Sequence, residues 1–392
     1  MAFEPAERRI VGATTTAAAL VPLNSTMIAV GLPQLARDLQ VHRGAAAILV
    51  TAYLIAMAAL QPFAGRLGDR LGNHHVVLVA LTGFAVMSAA AGAAPTFTTL
   101  LVCRVVQAVF GSALIPNLQA LLRAEIAEHR LGRAFGVFGA GIGTGAAVGP
   151  IVGGVLVDTV GWRGIFMVNT PVACVALALL VRLPRVVRTP TSGSDTTGRR
   201  PLRQLPFVTA CITQGMSNFA LYSVLLVIPL VLHDRGWGGA ATGALLSGLT
   251  VGMLVLNPVG GAMGDRRGRT RPVVLGMVVL VLGAAALTAA AHAPTALLVP
   301  GVVLMGVGIG LAAASLQAAA LGNIPREMAG SAAGLLSTSR YLGSIAGSLT
   351  IGALVGENVS GVSSVLAIST AASAVAAVAA TRIEARGPRS AS

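Results

Sequence analysis

The stretch Gly65-Arg66-Leu67-Gly68-Asp69-Arg70-Leu71-Gly72-Asn73-His74-His75 returns 196 residues later as Gly261-Ala262-Met263-Gly264-Asp265-Arg266-Arg267-Gly268-Arg269-Thr270-Arg271. Both copies carry a glycine, an Asp-Arg pair four residues on, and a further glycine. The offset is half of the 392-residue chain. Each copy is a short charged link between two long apolar runs. A duplicated half-protein with one link per half is the simplest account.

Apolar residues make up 55% of the chain, charged residues only 10%, and mean hydropathy is +0.82. A soluble domain carries roughly 25% charge, so this composition belongs to a membrane protein. The relevant unit of length is a span of about 20 apolar residues. Twelve are expected, near 10–33, 45–64, 74–93, 96–122, 133–157, 165–183, 206–232, 239–262, 272–291, 294–320, 328–354 and 360–381. They divide the chain into an N-terminal six-helix bundle (1–183), a linker rich in Arg, Pro, Thr, Ser and Gly (184–205), and a C-terminal six-helix bundle (206–392).

The net charge of +14 invites a nucleic-acid reading, which fails on where the charges lie. With a cytoplasmic N-terminus, 21 of the 27 arginines fall in cytoplasmic segments; Arg37, Arg43, Arg163 and Arg235 lie outside, and Arg104 and Arg340 lie within spans. That asymmetry is the positive-inside rule and places both termini in the cytoplasm. The basic linker is expected to rest on anionic lipid. No nucleic-acid partner is expected.

Every basic residue is arginine. Without lysine, neither a Walker A site nor a Schiff base can form. Cys103, Cys174 and Cys211 stand alone in separate apolar runs, so neither disulfides nor zinc ligation is expected. No cofactor and no metal is expected, and Met1–Arg9 does not read as a cleavable signal.

Polar residues inside apolar spans mark the candidate functional positions. Ser25 and Thr26 are expected to bond back to their own helix, whereas Asn24 reads equally well as packing glue or as a ligand contact. Arg104, with Gln107 one turn along, costs about 2.5–3.5 kcal/mol at a span centre on insertion scales. It is a functional candidate, with a packing arginine bonded to backbone carbonyls as the alternative. Gln214, Asn218 and Tyr222 form one polar stripe, and Arg340 is a second arginine deep in a span. Gly141, Gly145, Gly149 and Gly153, joined by Pro150 and Gly154, make a smooth stripe that admits a second helix backbone closely, and Pro150 should bend the span. Trp162 and Trp237 fall at outer span ends, as interface anchors do.

Taken together, these motifs resemble the major facilitator superfamily, and within it the drug:proton antiporter branch. Gly65, Asp69, Arg70 and Gly72 match the signature of the loop between the second and third spans. Arg104-Val105-Val106-Gln107 is similar to the fourth-span RxxQG pattern, with Ala108 where glycine is usual. Gly145, Gly149, Pro150, Gly153 and Gly154 match the fifth-span antiporter motif. Gly161-Trp162-Arg163, Ile165-Phe166 and Asn169-x-Pro171 follow the same branch. Ile324-Pro325-Arg326-Glu327-Met328-Ala329-Gly330 resembles the eleventh-span region of fourteen-span relatives.

The resemblance covers the whole chain. It implies an all-α integral membrane fold of two six-helix bundles rocking about a midplane site. It implies a monomeric secondary transporter of the bacterial inner membrane, exporting small amphiphilic compounds in exchange for protons. Spans 1, 4, 7 and 10 would line the cavity; Asn24, Arg104, Gln107, Gln214, Asn218 and Gln317 lie on those spans, and Arg340 joins them as a cargo or coupling candidate. Gly65, Asp69, Arg70, Gly72, Asp265, Arg266 and Gly268 would govern gating. A solvated turn would explain one copy of the link, but its recurrence at matching places favours the gating role.

One departure touches mechanism. The family's first span usually carries aspartate where this chain has Asn24. All 13 carboxylates fall in loops or near span ends, so no embedded proton carrier is evident. Asn73-His74 also replaces a basic pair at the end of the first link, and the linker leaves room for twelve spans only. A uniporter or importer of a small organic anion, without proton coupling, is the alternative. A membrane enzyme has no support, since no buried acid pair, GxSxG or His/Cys cluster occurs.

Overall fold

The computed structural model describes residues 3–182, 205–322, 329–355 and 361–383. The linker and the Ile324–Met328 stretch lie outside these residues. Thirteen α-helices run through the described part: α1 (Pro5–Asp38), α2 (Arg43–Leu71), α3 (Asn73–Gly92), α4 (Phe97–Glu125), α5 (Glu128–Val160), α6 (Arg163–Met167), α7 (Asn169–Val181), α8 (Leu205–Asp234), α9 (Gly239–Arg267), α10 (Thr270–Ala289), α11 (Leu298–Gly322), α12 (Ala329–Leu354) and α13 (Val362–Ala380). Among the described residues, ten helical segments are long and apolar enough to cross a membrane, counting Arg163–Val181 as one. Ala45–Gln61 within α2 is a shorter apolar stretch. The apolar run of α12 is diluted by Ser337, Thr338, Ser339 and Arg340. Helices suit a bilayer because each satisfies its own backbone where water is absent.

The repeated link is not the loop its composition suggests. Helix α2 continues through Gly65–Leu71, and α9 through Gly261–Arg267. The reversal is concentrated at Gly72 and Gly268, whose φ values of +89° and +88° belong to glycine. Charge and glycine content signalled a break, but an exposed helical turn tolerates both.

The chain separates into two compact units, Met1–Gly193 with Trp237–Ala244, and Ser194–Gly236 with Leu245–Ser392. In the first, α1 packs on α5, and α4 on both α2 and α3; Leu20, Leu81, Leu114, Leu118 and Phe138 are central to its core. In the second, α8 packs on α12 and α13, and α10 on α11. Thus the α1–α5 pairing recurs as α8–α12, and α3–α4 as α10–α11. Close approach is achieved alike in both: a Cβ on Gly145 would lie 2.5 Å from the Ala19 carbonyl oxygen, and one on Gly347 would lie 2.6 Å from that of Phe219.

The duplication extends to buried hydrogen bonds. Asn117 Nδ2 on α4 donates to the Ala64 carbonyl oxygen of α2 at 3.1 Å. Ser315 Oγ on α11 donates to the Gly260 oxygen of α9 at 2.8 Å. Residues 64 and 260 are again 196 apart. Gly68 and Gly264, one turn on, sit directly against Asn117 and Ser315. Two arginines that the charge pattern places outside also have matching structural roles. Arg163 donates to the Ala94 carbonyl just past α3, and Arg235 to the Ala291 and Ala293 carbonyls just past α10. Cations suit those positions because helix C-termini carry partial negative charge.

Candidate functional site

The first unit encloses a polar network spanning five helices. Pro22 interrupts the hydrogen-bond ladder of α1, and Ser25 and Thr26 bond back to the Val21 and Pro22 carbonyls, as expected. Asn24 instead faces inward and is fully enclosed. Arg104 on α4, 1% exposed, donates from Nη1 to Asn24 Oδ1 at 3.2 Å and to Gln107 Oε1 at 2.5 Å. Gln107 passes the chain on by donating to Ser88 Oγ of α3. Asn169, at the start of α7, donates to Asn24 Oδ1 at 2.9 Å and to the Ile165 carbonyl at 3.2 Å.

Aromatic rings complete the shell. The Arg104 guanidinium carbon lies 4.2 Å from the Tyr53 ring centre and 5.5 Å from that of Phe166. Trp162 packs edge-on against Phe166, with centroids 6.0 Å apart. Trp162 is therefore a buried core residue rather than an interface anchor, packed on Phe166 and held to α1 by its backbone N–H, which donates to Gln34 Oε1 at 2.9 Å. Trp237 remains partly exposed.

None of the ion pairs among the described residues involves Arg104. The sequence offers no acid within reach: α1 has none between Glu7 and Asp38, α3, α6 and α7 have none, and α4 has only Glu125 at its end. Enclosing a charge costs several kcal/mol. Two charge-assisted hydrogen bonds return about 1.5–3 kcal/mol each, and a desolvated cation–ring contact about 2. These contributions are of the same order as the cost, with no surplus for donors left unpaired. Arg104 Nε, Asn24 Nδ2 and Trp162 Nε1 are enclosed donors of this kind, and Asn169 Oδ1 is an enclosed acceptor without a partner.

The structure thus joins Asn24, Arg104 and Gln107, but encloses them rather than exposing them to a cavity. Sequence reasoning missed Asn169 and Ser88 as their partners; polar residues on short apolar segments were the available signal. The other candidates are dispersed. Asn218 Nδ2 bonds the carbonyl of Gln214 on its own helix, and the Gln214 side chain is half-buried. Arg340 is exposed rather than enclosed, with its guanidinium over the Tyr341 ring at 5.3 Å. It is exposed because α12 presents Ser339 and Gly343, not Arg340, to α8. Gln317 is exposed as well. Arg70 and Arg266 are exposed, Gly65 is half-buried, and the side chains of Asp69 and Asp265 lie outside those described.

The glycine stripe of α5 faces α1. Gly141, Gly145, Gly149 and Gly153 meet Thr15, Ala19, Thr26 and Met27 in turn. The adjoining edge, Pro150 and Gly154, lies against Gly243 and Gly239 at the start of α9. One turn further, Asp158 accepts from the backbone N–H groups of Gly239 and Ala240, at 2.7 Å to each carboxylate oxygen. This carboxylate, one of the 13 that fall in loops or near span ends, caps a helix N-terminus in which both amides would otherwise lack acceptors.

At the opposite end of α5, Arg130 joins Glu4 at 2.7 Å and Glu7 at 2.9 Å. The Glu4 hydrogen bond raises the Arg130 guanidinium above its ordinary value.

A duplicated scaffold of long apolar helices with an enclosed arginine is the architecture of a polytopic membrane protein. The Major Facilitator Superfamily profile matches residues 14–348 and 210–391, and the chain belongs to that family. It is 31% identical to YvkA of Bacillus subtilis, an uncharacterized MFS-type transporter, over 86% of this chain and 88% of that one. It is 28% identical to the tetracenomycin C resistance and export protein of Streptomyces glaucescens, over 88% and 75%. The fold matches a bacterial homologue of the human lysosomal transporter Spinster, captured inward-facing and occupied, with TM-score 0.78 at 14% identity and 97% coverage of both chains. The nucleoside transporter NupG matches with TM-score 0.75 at 14% identity, over 96% of this chain and 100% of that one.

Proposed function

We propose that this transporter is a proton-coupled exporter of small amphiphilic compounds. It would work as a monomer in a bacterial inner membrane with both termini cytoplasmic, by alternating access of the halves 1–183 and 206–392 about the 184–205 linker. The observation that carries this reading is the Gly145–Gly154 stripe, packed on the α1 backbone, in a chain whose full-length relatives include an export protein. Such a seam keeps two helices close while allowing them to slide, since it offers no side chains to interlock. Gly65, Asp69, Arg70 and Gly72, with Asp265, Arg266 and Gly268, would control exchange between conformations. Gln214, Asn218 and Arg340 would meet cargo, and Asn24, Arg104 and Gln107 would set the charge of the first bundle.

A second reading has its own observation. Arg104 meets an amide at position 24 rather than a carboxylate, which favours a small organic anion carried without proton coupling. Everted vesicles energised by respiration separate the two. Collapse of the pH gradient on adding one compound, only when the protein is present, supports antiport. Labelled anion crossing while the gradient holds supports the second reading and refutes the first.

A further inference from the structure

Arg340 lies near the middle of α12, and its exposure is not that of a lipid-facing residue. The exposed apolar stripe of this helix is Leu342, Ala346, Leu349 and Ala353, which share one face. At about 100° per residue, Arg340 stands about 150° around the helix from the middle of that stripe. It lies instead beside the contact with α8. That contact is built on glycine: a Cβ on Gly215 would lie 3.2 Å from the Ser339 oxygen, and Gly343 and Gly347 meet the Gly215 and Phe219 carbonyls in turn. The paired positions ascend together, so α8 and α12 run parallel, with Ile212 level with Arg340. In parallel right-handed helices, a residue following a contact position on one and a residue preceding a contact position on the other project to the same side. Arg340 follows Ser339, and Gln214 precedes Gly215. The two therefore flank one side of the seam, within about 3 Å of each other along its axis. Both belong to the second unit.

Among the described residues, neither the Arg340 guanidinium nor the Gln214 carboxamide has a hydrogen-bond partner, and the guanidinium meets only the Tyr341 ring. Ser217 and Asn218, by contrast, both bond the main-chain carbonyl of Gln214. Nor does an acid neutralise the arginine from these helices: α8 has only Asp234, at its far end, and α12 and α13 have none. An ionised side chain kept at span depth, accessible and without a counterion, is suited to a ligand that brings the counterion.

We infer that Arg340 and Gln214 form a subsite for the carboxylate head of an amphiphilic cargo, so that the compounds carried are anionic or zwitterionic rather than purely cationic. The guanidinium fork matches the two oxygens of a carboxylate, and the Gln214 amide adds a donor from the neighbouring helix. The subsite belongs to the exporter proposed above and rests on that reading.

Full-length protein in phosphatidylcholine nanodiscs is titrated with dansylaminoundecanoate, with its methyl ester and with the matching trimethylammonium compound, dansyl emission being read against empty discs. The carboxylate should bind saturably and at least about tenfold more tightly than the ester or the cation, the scale of a charge-assisted hydrogen bond. Arg340→Gln should erase that preference; the guanidinium is exposed and free of protein hydrogen bonds, so folding should survive the change. Arg340→Lys, which keeps the charge but loses the fork, should retain only part of the preference. Gln214→Leu should weaken carboxylate binding by about 2–5-fold. Equal affinity for the three head groups overturns the inference, as does a preference that survives Arg340→Gln or a carboxylate that fails to bind saturably. Binding is read without a gradient. A failed subsite therefore leaves proton-coupled export standing, and a failed gradient assay leaves the subsite standing.

Discussion

Asp158 is the residue whose removal should be most legible in an experiment. Its two carboxylate oxygens each accept one backbone N–H of the first turn of α9, at 2.7 Å. Alanine would leave both amides without a protein acceptor and remove a negative charge from the positive end of the helix. Loss of a helix N-terminal acceptor costs about 0.5–2 kcal/mol. The site is exposed, so water and salt recover part of the charge effect, and about 0.5–1.5 kcal/mol is the appropriate range. That corresponds to a roughly 2–13-fold shift in the local opening equilibrium. Hydrogen exchange followed by mass spectrometry on a peptide covering 237–244 should therefore quicken by about that factor in Asp158→Ala. Asp158→Asn keeps one acceptor and should fall between. Trp237–Ala244 groups with the first unit although the chain on either side belongs to the second. The effect should accordingly be confined to this segment, with α1 and α5 exchanging as before. Unchanged exchange at 237–244 in the alanine variant would refute the assignment of Asp158 as the cap.

Three further outcomes follow from the packing. Gly145→Ala would drive a methyl into the Ala19 backbone, which cannot rotate away, so a loss of about 1–3 kcal/mol in unfolding free energy is expected; Gly139→Ala, with open space around it, should be neutral or slightly stabilising, and equal behaviour of the two would refute the seam. Gly68→Ala should be destabilising alone and less so when combined with Asn117→Ala, since Asn117 is the nearer of the two side chains it would strike, Asn73 being the other; a double-mutant cycle should give a coupling of about 0.5–3 kcal/mol, and simple additivity would contradict the geometry. Gly72→Ala and Gly268→Ala should each cost about 1–3 kcal/mol by forcing a non-glycine residue to positive φ, measured as a drop in unfolding temperature.

The fold was legible because a bilayer leaves few options: apolar runs of span length must be helices or barrel strands, and these runs are too long for strands. The duplication was legible because Gly68 and Gly264 each need close contact with a neighbouring helix, so the motif survives as a spacing. The helical state of Gly65–Leu71 was not legible. Charge and glycine mark exposure, and exposed helix and exposed loop share that composition. Nor was the enclosure of Asn24, Arg104 and Gln107, which depends on rotation about helix axes. Sequence places a residue at a depth, whereas contact with Ser88 or Asn169 depends on azimuth. Arg340 shows the converse. Its depth resembles that of Arg104, yet α12 packs on α8 through Ser339 and Gly343 and leaves the arginine exposed.

What the two units share and what they do not share divide scaffold from chemistry. The bonds Asn117 to Ala64 and Ser315 to Gly260 occupy equivalent places, and so do the arginine caps beyond α3 and α10. Arg104 has no such counterpart: position 300, one repeat length on, is Pro300. In the second unit Thr209 and Ser373 turn their hydroxyls onto carbonyls of their own helices, while Thr213, Ser315 and Ser369 reach carbonyls of neighbouring helices. None of these groups carries a net charge. Among the described residues the first unit therefore holds an enclosed arginine, where the buried polar side chains of the second are uncharged. Duplication would have delivered the same side chains to both halves. An enclosed arginine kept in one half alone carries a desolvation cost that the shared scaffold does not require, so Arg104 and Asn24 are the first positions at which substitution would test a role beyond packing.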